Sequence, residues 1–152
     1  MIKVHDTYDY NTVFTDKDAD VYAKLTEDFN PVHLDPEFAS KSEFGRPVAQ
    51  GVLILCAFAK VFGTMWPADK YAYFISQNIH YYRPVYINEP YSIKFECTDV
   101  DYKRNIGTIV GVLKDKEGDE KCTSECILTS VFTISFPSLS FRIPTIVPMF
   151  LL

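Results

Sequence analysis

The sequence predicts an α+β fold in which a buried helix is wrapped by a curved antiparallel sheet. Two patterns carry that prediction. The stretch "VAQGVLILCAFAKVFGTMW" is apolar nearly all round for four turns, with Lys60 as its one charge. A helix hydrophobic on every face belongs in the middle of a protein. From Tyr71 onward the pattern changes to segments rich in aromatic and β-branched residues, separated by turn residues. One strand, a helical middle and a run of strands, in that order, make an α+β arrangement.

The elements follow in turn. His5 to Phe14 partly alternates and reads as a short first strand. Thr15 can cap a helix, with Asp18 three residues on in a variant of the capping box. Val21, Tyr22, Leu25 and Phe29 then fall at helical spacing, and Pro31 stops the helix near Asp28 by pushing Asn30 out of the helical region. "DPEFASKSEF" predicts a second, short helix with Asp35 as cap and Pro36 at the first helical position. Gly45, Arg46 and Pro47 break the pattern before the long apolar helix. Its length and Ala content favour helix over a buried strand. The strands are "YAYFISQNIHYYRPVY", "EPYSIKFECTDVDY", "IGTIVGVLKD" and "KCTSECILTSVF", and "DKEGDEK" is a solvated hairpin tip.

The chain has 152 residues, enough for one domain, which we place over residues 1–132. Residues 133–152 form an apolar tail interrupted by Pro137, Pro144 and Pro148, with Arg142 among them. A membrane helix needs about 20 continuous apolar residues. The tail is therefore expected to be an extended segment packed on the body or on a partner, with a peripheral membrane contact as the other option. The net charge of −5 and the lack of a basic run argue against a nucleic-acid partner. Cys122 and Cys126 stand four apart without a second pair, so no zinc site is expected. Reduced thiols and an N-terminus without an apolar signal core point to an intracellular, cytoplasmic protein. Cys56 lies in the apolar run and reads as core.

Two features carry chemistry. In "LTEDFNPVHLDPEFA" a carboxylate, Asp28, and an imidazole, His33, flank an Asn-Pro turn. Turn formation alone accounts for Asn30 and Pro31. A helix end, a fixed turn and a new helix could also aim both side chains at one water, each proton role being worth roughly 10²–10⁴ in rate. The second feature is "AQGVL", where Gly51 opens the long helix. Free N–H groups there favour negative charge and can polarise a carbonyl becoming an enolate, although close packing alone would also call for glycine. His5 and His80 read as an exposed terminal residue and a sheet residue, and Arg83 as a solvated strand end.

Together "LTEDFNPVHLDPEFA", "FGRPVAQGVL" and "AFAKVFG" resemble the signature of the MaoC-like (R)-specific enoyl-CoA hydratases, D-x-N-P-apolar-H followed by a helix opening with His-Gly. "ISQNIHYYRPVYINEPYSIKFE" is similar to that family's central strand, its turn and the next strand. The likeness covers roughly residues 5–132. It implies a hot-dog fold and a homodimer with the acyl pocket near the subunit interface. It also implies that Asp28 and His33 are the catalytic pair, that Asn30 supports them, and that the Gly51 N–H is the oxyanion donor. Three positions depart from the pattern. Glu27 replaces a glycine, Gln50 replaces the histidine before Gly51, and Ala59 stands where some hydratases have a serine. Gln50 can still hydrogen-bond substrate but cannot titrate.

The resemblance therefore implies a hydratase or dehydratase interconverting trans-2-enoyl-CoA and (R)-3-hydroxyacyl-CoA, on a CoA or acyl carrier protein thioester. Neither metal nor bound cofactor is expected. A hot-dog thioesterase and a non-catalytic acyl-thioester-binding subunit are the alternatives.

Overall fold

The computed structural model describes residues 2–66 and 72–130. The apolar tail expected over residues 133–152 lies outside the described residues. The elements run β1 (Thr7–Val13), α1 (Asp16–Thr26), α2 (Pro31–Leu34), α3 (Pro36–Ser40), α4 (Gly51–Thr64), β2 (Ala72–Tyr81), β3 (Pro90–Asp101), β4 (Ile106–Asp115) and β5 (Glu120–Ser130). The five strands form one antiparallel sheet in the order β1-β3-β4-β5-β2. The predicted strand run is therefore present, with β1 and β2 as its edges.

One face of the sheet is closed by α4. Along β3, Tyr91, Ile93, Phe95 and Cys97 alternate inward, and β4 and β5 add Ile109, Leu113, Cys122, Cys126 and Leu128. This is the period-two pattern of a strand with one buried face. From α4, Ile54, Ala57, Phe58, Val61 and Phe62 meet them. Phe95 receives Phe58 and Phe62 edge-on, at centroid distances of 5.8 and 5.2 Å. Edge-to-face pairs of this kind contribute about 0.5–1.5 kcal/mol beyond their buried area. The register sets Gly111 opposite both Phe95 and Ser124, so two small residues lie beside the large ring where the helix comes down.

Three expectations are corrected. The long helix is not buried all round: Val52, Cys56 and Lys60, one turn apart, form an open stripe. Cys56 is thus exposed, whereas Cys97, Cys122 and Cys126 are buried; all four are free thiols. Three wholly apolar turns flank Lys60 in sequence, so composition could not reveal the open stripe. In α1 the packed residues are Ala19 and Ala23, while Leu25 and, beyond the end of the helix, Phe29 are largely exposed. The inward face of α1 is thus occupied by small residues, and the large apolar ones are left outside. Finally, Pro31 does not end α1, which stops at Thr26 with Glu27 in a left-handed conformation. Pro31 instead opens α2, with Asn30 as N-cap and the proline at the first position, where a missing N–H costs nothing.

Candidate active site

The capping box predicted for α1 is present: Thr15 Oγ1 accepts from the Asp18 N–H, and the Asp18 carboxylate accepts from the Thr15 N–H. At the other end Glu27 takes a left-handed conformation with φ of 61°, which turns the chain sharply out of α1 and delivers Asp28. Local hydrogen bonds then hold each residue of the motif. Asp28 Oδ1 accepts from the Asn30 N–H at 3.4 Å, and Asn30 Oδ1 accepts from the Val32 N–H at 3.2 Å. The Asn30 carbonyl accepts from the His33 N–H at 3.1 Å. Asn30 therefore stands between the two candidate catalytic residues and bonds toward both, as a supporting residue would. Asp35 accepts the Glu37 and Phe38 N–H groups and starts α3 without an intervening loop.

The His33 ring is fixed from behind. Its Nδ1 lies 2.7 Å from the Val48 carbonyl. A carbonyl only accepts, so Nδ1 carries the hydrogen, and the neutral ring presents its lone pair at Nε2. Asp28 and His33 are both half-buried. They keep access to solvent while their backbones are pinned.

The segment from Pro47 to Gly51 ties this layer to the sheet. On one side the Val48 N–H donates to the Val32 carbonyl, and the Val48 carbonyl takes His33. On the other side the Ala49 N–H donates to the Val85 carbonyl at 2.8 Å, and the Ile87 N–H donates to the Pro47 carbonyl. Gly51 follows directly as the first residue of α4. Three helices, α1, α2 and α3, have a side chain on their first N–H groups; α4 has none. Its N-terminal donors are thus left for another acceptor.

Gln50 is turned inward. It is 1% exposed, and its Nε2 donates to the Ala19 carbonyl of α1 at 3.3 Å. Its Oε1 is buried and has no hydrogen-bond partner among the described residues. Ala59 is half-buried on α4. The remaining candidates behave as surface groups. His5 meets Glu96, His80 is exposed on β2, and Arg83 pairs with Asp119 across a strand end. Among the described residues no cluster of three or more His, Cys, Asp or Glu side chains could hold a metal ion. None of the described helices is long and apolar enough to cross a membrane.

Sequence reasoning missed Tyr81. It ends β2, and its hydroxyl donates to the Gly51 carbonyl at 2.5 Å. The residue is 47% exposed. Burial of the phenol end is the main reason its pKa is pushed up to about 12, with Cys122, Tyr22 and Cys56 adding to it. It therefore remains a donor at ordinary pH. A tyrosine at the end of a strand gives no local signal that it reaches a helix 30 residues earlier.

Comparison with known proteins identifies the family and the fold. The family model of the MaoC like domain matches residues 3–119. The (R)-specific enoyl-CoA hydratase of Aeromonas caviae is 30% identical over 107 residues, which is 70% of this chain and 79% of that protein. A mitochondrial 3-hydroxyacyl-[acyl-carrier-protein] dehydratase of Arabidopsis thaliana is 34% identical over 89 residues, 59% of this chain. The matched part is 52% of that plant protein, so the chain spans about half its length. Both relatives are hydro-lyases by name. The solved structure of the A. caviae (R)-hydratase superposes with a TM-score of 0.79 at 26% identity, covering 84% of this chain and 96% of that one. The unliganded R-hydratase PhaJ1 of Pseudomonas aeruginosa, at 21% identity and a TM-score of 0.78, shares the fold. A helix cradled by this five-stranded antiparallel sheet is the hot-dog fold, and the chain belongs to the MaoC-like domain family.

Proposed function

We propose that the protein is a hydratase/dehydratase of acyl thioesters, adding water to a trans-2-enoyl thioester to give the (R)-3-hydroxyacyl product or running the reverse. One observation carries the reading: a single five-residue segment fixes the His33 ring and then opens a helix whose first donors have no cap. In this scheme the thioester oxygen sits on the Gly51 N–H. The enolate that forms as C3 is attacked is stabilised there; losing one such donor typically costs roughly 10²–10³ in rate. Asp28 and His33 hold the water between them. The His33 Nδ1 contact with the Val48 carbonyl supports Nε2 as the acceptor of the water's proton, with Asp28 orienting the water through its other hydrogen. Oxygen bonds to C3, and the proton taken from the water is returned to C2. One water is consumed, and neither an electron acceptor nor a resident cofactor enters the balance. Asn30 supports the pair. Gln50 acts from inside, holding the start of α4 against α1.

A second copy of the chain is the partner we propose, paired along β2. This edge strand has ten residues with no proline, lysine or other charge, and Tyr73, Phe74 and Ile75 are exposed on it. A long uncharged edge is a template for strand pairing unless it is covered. The four free thiols support a reducing compartment such as the cytoplasm. The CoA and acyl carrier protein forms of the substrate share the thioester that this chemistry requires.

The test is hydration of crotonyl-CoA, followed by loss of the conjugated thioester's absorbance, with Asp28→Asn measured beside the parent chain. Turnover that falls at least ~10²-fold in a folded variant is expected. Near-normal turnover in folded Asp28→Asn would end the mechanism. Release of free thiol in place of hydration would identify a thioesterase.

A further inference from the structure

We infer that Tyr81 is a positioning residue for the oxyanion donor, its hydroxyl holding the first carbonyl of α4 so that the Gly51 N–H keeps a fixed direction. The inference rests on the hydratase reading above. Glycine has the freest backbone of any residue, and at the first position of a helix only one side of it is held by the helical ladder. An uncapped helix opened by glycine is therefore a poor place for an aimed donor unless something else restrains it. Here the restraint comes from both flanks. Gln50, the residue before, is anchored to Ala19 in α1. The Gly51 carbonyl, on the other side of the same Cα, receives the Tyr81 hydroxyl from β2. These two contacts restrain the chain on either side of the Gly51 Cα.

The phenol also explains why position 51 is small in this chain. A Cβ placed there would lie 3.2 Å from the Tyr81 oxygen and 3.3 Å from its Cζ, tighter than ordinary contact. Glycine and tyrosine thus fit as a pair, with the ring resting where a side chain would otherwise be. The hydroxyl makes no other hydrogen bond among the described residues, and its ring is half-exposed, so the contact is not a by-product of core packing.

The experiment compares the parent chain with Tyr81→Phe, which removes only the hydroxyl. Two quantities are read: kcat and KM for crotonyl-CoA, and the amide NMR signal of Gly51 as butyryl-CoA, a saturated thioester that cannot be hydrated, is added. A loosened donor predicts a kcat lower by about tenfold with KM within about twofold, since sub-ångström misplacement acts on the transition state. It also predicts a smaller shift of the Gly51 signal in Tyr81→Phe. A purely structural hydroxyl would lower the melting temperature and leave kcat unchanged, and that result overturns the inference. If the parent chain does not hydrate crotonyl-CoA, the hydratase reading fails, and the Gly51 signal still decides the positioning role. Equal shifts in the two proteins, or none in either, overturn it.

Discussion

Gly111 is the point where the sheet admits the central helix, and Gly111→Ala should weaken the whole fold. The added Cβ would lie 2.8 and 2.9 Å from two atoms of the Phe58 ring and 2.9 Å from the Phe95 ring. Each distance is about half an ångström inside ordinary contact. Neither ring can move aside: both are fully buried and already meet edge to face. The methyl group must push α4 away from β4 or force a strained rotamer, and overpacking of that kind costs about 1–3 kcal/mol. In urea, with a slope of about 2 kcal/mol per molar, the unfolding midpoint should drop by roughly 1 M. Chemical denaturation followed by tryptophan fluorescence measures this, because Trp66 is the one tryptophan and packs on the same aromatic cluster through Phe62. Phe58→Leu shortens the obstructing ring. The double variant should then be less destabilised than the two single losses combined, by at least about 0.5 kcal/mol. A Gly111→Ala protein within about 0.5 kcal/mol of the parent, or strict additivity in the double variant, would refute the argument.

Other perturbations bear on the site and the surface. His33→Asn can keep a donor toward the Val48 carbonyl while removing Nε2, so stability should stay near the parent's and crotonyl-CoA turnover should fall at least ~10²-fold; a variant that stays fully active would exclude Nε2 from the chemistry. Lys121 lies 2.6 Å from Asp115, and this bond holds the Asp115 carboxyl below its ordinary value. A depressed carboxyl stabilises the fold above the ordinary carboxylate range and loses that contribution as pH falls through its folded-state value, below about pH 4. Asp115→Asn should therefore flatten part of the acid limb of a stability-against-pH curve, and identical limbs would contradict the assignment. Ile75→Lys puts a charge on the bare edge of β2 and should shift the mass measured by light scattering from two chains toward one; an unchanged dimer would place the contact elsewhere.

Much of this architecture was legible in the sequence because its signals are local. Thr15 with Asp18, and Asp35 with Pro36, announce their helices through side chains that reach only two or three residues. Asn88 and Asn105, both in left-handed conformations, stand just before β3 and β4 at the turns that composition marked. The turn that carries the candidates Asp28, Asn30 and His33 is local in the same way, since the bonds that organise it span two or three residues. What escaped was what depends on distant partners. The open stripe at Cys56 is set by what α4 faces across the fold. Leu25 and Phe29 lie outside because the inward face of α1 is taken by Ala19 and Ala23. Tyr81 meets Gly51 only once β2 has taken its place at the edge of the sheet. Periodicity identifies an element, and contact order decides which of its faces is used.

The short run from Pro47 to Gly51 has a consequence for how substitutions in this chain are to be weighed. Distance along the sequence, or even from the His33 ring, would rank Val85 and Ile87 among ordinary core positions. Yet the Val85 carbonyl holds Ala49 and the Ile87 N–H holds Pro47, immediately before the carbonyl that orients His33 and the glycine that opens α4. The run works like the shared rail of two gauges: whatever tilts it at the sheet end changes the reading at both the imidazole and the helix start. Under the proposed mechanism, changes in the 85–87 connection that leave the fold intact should therefore alter proton transfer and carbonyl polarisation together, whereas changes around Asn30 should alter the first alone.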